Sequence, residues 1–156
     1  MQTFPKKTFI VILIIIFVGA LILYLVPFPQ TKAHYVAIRG AMVKVEIADT
    51  PHRRAEGLRG RSYLPEGAGM AFFFDHSDDP AIWMKGMRFP IDILWVRDGK
   101  VVDMGENVSP VLPGTPDALM PQYRPDSVAD MVLEVEAGFV QKNNIQRGDM
   151  VGLVYK

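Results

Sequence analysis

From Phe9 to Val26 no charged side chain interrupts the chain: FIVILIIIFVGALILYLV. A bilayer core is spanned by about twenty apolar residues in a helix. The run therefore predicts a transmembrane anchor over residues 9–26, with Tyr24 at the interface. Lys6 and Lys7 precede it, and Pro27 and Pro29 end it, because a helix rarely continues through Pro-Phe-Pro. A cleaved secretory signal is the alternative. Its apolar core spans about 7–15 residues before a small-residue cleavage site. Here the core is longer and the exit, Val26-Pro27-Phe28-Pro29-Gln30, lacks Ala-x-Ala. The uncleaved anchor is the better reading. The paired lysines place the N-terminus in the cytoplasm and the rest of the chain on the extracytoplasmic side. Residues 1–30 are then stub, anchor and tether, and residues 31–156 one soluble domain.

Past the anchor the hydrophobic period shortens to two. In Met42–Ala48, Val43, Val45 and Ile47 alternate with Lys44 and Glu46, a strand with one wet face. Thr50-Pro51 reads as an N-cap with proline at the first helical position. A short helix over HRRAEGL follows, stopped by Gly60. GMAFFF (69–74) is a short apolar strand, and DHSDDP (75–80) a turn. Residues 81–84 and 90–97 are strands, and Asp98-Gly99 marks a hairpin. The segment 109–125 holds five prolines, too many for a helix or a central strand, and reads as a long binding or lid loop. In Met131–Glu136 the apolar Met131, Leu133 and Val135 alternate with Glu134 and Glu136, which read as exposed. A short helix over 137–144 and a strand over 150–155 complete the domain. Strands outnumber helices, which predicts a mainly-β sandwich or compact barrel with one or two short helices.

Composition narrows the function. The 17 basic residues balance the 17 acidic ones, and without Lys6 and Lys7 the soluble part carries about −2. No basic face suits nucleic acid. With no cysteine there is no disulfide, thiol nucleophile or thiolate metal site.

Four stretches in order, ADTPHRRAEGLRGR, GMAFFF, IWMKGMRFPIDILWV-RDGKVV and VLEVEAGF with I-x-RGD after it, resemble the domain of unknown function 192 family. The match covers about residues 42–154, and WMK…PIDI is its most specific piece. The resemblance implies a small single domain, often behind a signal or anchor, with a jelly-roll-like β-sandwich. It implies no established activity.

Asp92 is the most informative single residue. On a strand it shares a face with Leu94 and Val96, where an unpaired carboxyl costs several kcal/mol. Arg61, Lys85 and Arg88 are the candidate partners, in either a structural pair or a binding site. Arg53, Arg54, Arg59 and Arg61 cluster around the first helix and suit carboxylate, phosphate or sulfate groups, or a solvated face. Trp83 beside Lys85 suits stacking on a sugar, or core cover. Met70, Met84, Met87 and His76 are the donors a Cu(I) site would use, although methionines also fill core gaps. Asp75, His76, Asp78 and Asp79 match no EF-hand spacing. No Gly-x-Ser-x-Gly, P-loop or dinucleotide fingerprint occurs.

These readings converge on a non-catalytic, membrane-tethered binding or accessory module for a small polar ligand or an envelope partner. Its ligand patch would be Arg61, Trp83, Lys85 and Asp92, without cofactor, metal or nucleic acid. The rivals are a metal-independent enzyme using Asp92, with Glu134 as a second carboxylate, as acid or base, and a copper-handling protein.

Overall fold

The computed structural model describes residues 15–18 and 33–155. The chain divides into two units, Met1–Thr31 and Lys32–Lys156. The anchor expected over residues 9–26 lies outside the described residues except for 15–18, which are helical. Among the described residues no helix is long and apolar enough to cross a membrane.

The second unit is built on one mixed seven-stranded sheet. Its strands are β1 (His34–Ile38), β2 (Ala41–Ala48), β3 (Ala68–Asp78), β5 (Ile91–Arg97), β6 (Lys100–Val108), β8 (Ala129–Glu136) and β9 (Val151–Tyr155). The spatial order is β6-β5-β8-β3-β2-β1-β9, with β2 and β3 parallel and every other pair antiparallel. A two-stranded ribbon of β4 (Ile82–Trp83) and β7 (Gln122–Tyr123) stands apart from it. Two short helices, α1 (Pro51–Glu56) and α2 (Phe139–Asn143), complete the fold.

The sheet curls until its two edges touch. Lys100 and Met150 form an antiparallel bridge, Val151 N donates to the Gly99 carbonyl at 2.8 Å, and Val101 N donates to that of Asp149 at 2.9 Å. The result is a half-barrel closed at one end. It takes the place of the two-sheet, jelly-roll-like sandwich that the sequence suggested, because the strands join edge to edge in one sheet. Of the two expected architectures, the curled single sheet is nearer the barrel, though it is a half-barrel.

Local chemistry explains the connections. Asp98 and Gly99, at φ 49° and 68°, make the hairpin between β5 and β6. Arg39 and Gly40 have positive φ as well and turn β1, a strand that the sequence pattern did not predict, into β2. The Thr50 side chain accepts from Arg53 N and caps α1, with Pro51 in the first turn. Gly57, at φ 53°, ends that helix before Gly60 is reached. The proline-rich segment does carry structure: β7 and a 3-10 turn over Asp117–Leu119.

Both faces of the sheet are covered. Inside the curl, Val36, Ile38, Val43, Leu94, Val96, Val101, Leu133 and Val135 pack with Phe139, Val140 and Ile145 from α2 and its exit. On the outer face a second core joins Met70, Phe72, Ile93, Trp95 and Val132 to Leu58, Ile82 and Met84. The central strands β5 and β8 are therefore buried on both sides. This corrects the reading of Glu134 as an exposed position: it is 5% exposed. Met70 and Met84 belong to that outer core and Met87 packs against it, as gap-filling methionines do. The His76 and Asp78 side chains lie outside the described residues.

Candidate functional site

Asp92 sits inside the curl, fully buried. Its strand pairs with β6 across a bulge, where the register passes from Ile91↔Val108 to Ile93↔Gly105. Within the bulge Asn107 adopts φ 50°, and its amide N donates to Asp92 Oδ1 at 2.7 Å. The other oxygen, Oδ2, accepts from Val140 N at 2.8 Å. Val140 lies in the first turn of α2, where backbone N–H groups have no partner within the helix. Asp92 thus fastens a strand bulge to the helix that plugs the barrel.

The cationic partner foreseen for Asp92 is replaced by these two amides. Arg61 instead grips Glu46 with both guanidinium nitrogens, Nη2 to Oε2 at 3.0 Å. Lys85 pairs with Asp117 and lies 5.0 Å from the centroid of the Trp83 ring. Among the described residues no ion pair reaches Asp92. Arg88 is exposed and makes no ion pair there.

The outer face holds a different arrangement. Glu46, Met70, Glu134 and Ile93 form one row across β2, β3, β8 and β5. Over the sheet next to Glu134 opens a cleft of about 70 Å³. Its floor is the sheet, through Phe72, Ile91 and Glu134. One wall is α1 with its exit, from Arg54 to Arg59, and the other is Ala81–Lys85 with Met87. The two walls are tied together by Gly60 N donating to the Gly86 carbonyl at 3.0 Å.

Glu134 is the unusual group here. Burial pushes its carboxyl up to about 8, against the opposing pull of the Arg61 charge. Its neighbour in the row behaves oppositely: the hydrogen bond from Arg61 holds Glu46 below its ordinary range. Glu134 is therefore a neutral acid at pH 7 beside an ionised Glu46–Arg61 pair.

The four residues of the expected patch are thus divided by the sheet. Trp83 and Lys85 line the cleft with Glu134, and Arg61 acts on Glu134 through its charge. Asp92 faces the other way. Arg54 is spent on two backbone carbonyls, those of Asp49 and Phe73, and on the Phe74 ring. Arg53 likewise bonds the Ile47 carbonyl. The sequence reads Glu134 as exposed because alternation along β8 looks the same whether the second face meets water or a second core. Trp83 is 42% exposed. We expect Trp83→Ala to shift urea unfolding by no more than about 1 kcal/mol, as for other exposed positions. A loss of several kcal/mol would mark it as core cover.

The fold and its cleft define a small half-barrel β domain. Its family follows from the sequence: residues 34–153 match the DUF192 family, described as an uncharacterized ACR, and the chain belongs to it. Two crystal structures are similar. A candidate transcription regulator from Sinorhizobium meliloti 1021 shares 25% identity at a TM-score of 0.67, over 78% of this chain and 92% of its own. A protein of unknown function from Novosphingobium aromaticivorans DSM 12444 shares 24% at a TM-score of 0.67, over 80% and 89%. No curated protein matches.

Proposed function

We propose that this domain is a binding module for a small polar ligand whose head enters the cleft beside Trp83 and bonds to the Glu134 carboxyl. One observation carries the reading. Glu134, only 5% exposed, lies on the floor of an open cleft, and among the described residues nothing hydrogen-bonds its carboxyl, so the cleft is where it finds a partner. With no protein partner, the carboxyl is completed only by what enters the cleft, water or a ligand head, which is the setting of a polar group that orients a ligand. The exposed face of Trp83 offers a surface for the rest of the ligand. Asp92, with both oxygens occupied by amides, is left out of the site and out of any acid–base role. The apolar run at residues 9–26 supports a membrane-tethered form of the module on the extracytoplasmic side.

The test is a thermal-shift screen of the full-length chain in detergent against saccharides, organic acids, amines and inorganic anions. A ligand present at 100 times its Kd stabilises by about 2.7 kcal/mol. Hits are then followed through the two tryptophan indole N–H resonances. We expect the Trp83 signal to move while that of Trp95, buried and bonded to the Pro80 carbonyl at 3.0 Å, stays put. Glu134→Leu and Trp83→Ala should each abolish the response. Hits that persist unchanged in both variants would overturn the assignment.

A further inference from the structure

The walls of this cleft say what charge its ligand carries. Arg59 lies at the exit of α1, and its aliphatic stem crosses Gly86 so closely that a Cβ there would stand 2.5 Å from Arg59 Cγ. Gly86 also has φ +70°, a conformation that residues with a side chain rarely adopt. The loop therefore holds the Arg59 stem in one groove. Yet the guanidinium at its end has no hydrogen bond or ion pair among the described residues. The other cations on the walls are engaged: Arg54 by the Asp49 and Phe73 carbonyls, and Lys85 by Asp117. Arg59, exposed and with its stem against Gly86, and the buried Glu134 line the same cleft.

Resting on the binding reading above, we propose that the cleft takes a small carboxylate-bearing ligand, with Arg59 as its ion partner and Glu134 as a hydrogen-bond donor. The planar guanidinium fork matches a carboxylate, with two parallel N–H donors. A protonated carboxyl donates to that anion, where an ionised one would repel it. An ammonium ligand would instead face the net positive walls. Among the described residues lining the cleft, Arg59 is the one cation without a partner, which suits a monoanion better than a phosphate dianion. The volume of about 70 Å³ admits a head of a few heavy atoms, which leaves the remainder against Trp83.

The test compares one ring in four charge states, namely glucuronate, glucose, glucosamine and glucose 6-phosphate, titrated against the full-length chain and read at the Trp83 indole. Glucuronate should bind at least about tenfold more tightly than the other three, the loss typical when a charge-assisted pair is absent. Arg59→Gln should bring it down to the level of glucose, and glucose itself should be unaffected by that change. Glu134→Gln, which still offers an N–H donor, should retain glucuronate. Equal or tighter binding of glucose, glucosamine or the phosphate overturns the carboxylate assignment and leaves the cleft reading standing. Glucuronate binding that survives Arg59→Gln does the same. If no probe moves the Trp83 signal, the carboxylate assignment falls, and the cleft reading falls with it only where every hit of the wider screen also leaves Trp83 unmoved.

Discussion

Asp92→Ala is expected to lower the stability of the domain by about 3 kcal/mol, because it leaves the buried Val140 amide and the part-buried Asn107 amide without an acceptor at once. An orphaned buried N–H costs about 1–3 kcal/mol, and less where water reaches it, as at Asn107. The two amides belong to elements far apart in sequence, the Asn107 bulge in β6 and the Val140 turn in α2. The carboxyl therefore joins an edge hairpin to the helix that seals the barrel interior. In a domain of this size about 1 kcal/mol corresponds to roughly 4 °C, so the melting temperature should fall by about 12 °C. Asp92→Asn separates this from a cavity effect. Its single carbonyl oxygen serves one amide while its NH₂ confronts the other, so about half the loss should remain in a side chain of equal size. Thermal unfolding of the three proteins checks the order. If Asp92→Asn matches wild type, the fastening role is wrong.

The same residue shows what a sequence displays and what it hides. That a dry carboxyl on β5 needs partners was legible from IDILWV alone. Their identity was not, because a search by letter finds arginine and lysine while backbone amides carry no letter. Asn107 offers its N–H only because a bulge turns it to positive φ, and Val140 only because a helix starts there. The Thr50 cap, the Asp98-Gly99 hairpin and the strand over 131–136 were legible, since each follows from local chemistry. The closing of the sheet was not, for it depends on Val151 and Val101 meeting the opposite edge. Glu134 lay between these cases. The apolar runs GMAFFF in β3 and ILWV in β5 were a usable signal of strands covered on both faces, and β8, with its glutamate, lies between them.

The burial of Glu134 should make the domain lose stability as pH rises from acid to mildly alkaline conditions. The folded carboxyl titrates near 8 and the unfolded one near 4.5. Between these values the native state holds a proton that the unfolded chain has released, so stability declines with pH by about 1.4 kcal/mol per unit. The contribution is complete below about pH 4.5 and gone above about pH 8, some 5 kcal/mol in all if nothing relaxes. Arg61 is the nearby charge that opposes this, and it is already held by Glu46, so it only trims the effect. Glu46 contributes the reverse slope, present above its unfolded value and lost in acid, which leaves the decline above pH 5 to Glu134. Glu134→Gln keeps the shape and removes the proton. It should match wild type near pH 5 and exceed it by a few kcal/mol at pH 9, measured by urea unfolding across the range. A wild-type curve that is flat from pH 5 to pH 8, with Glu134→Gln parallel to it, would show that the carboxyl is ionised and solvated. The cleft would then lack the neutral acid that its proposed ligand needs.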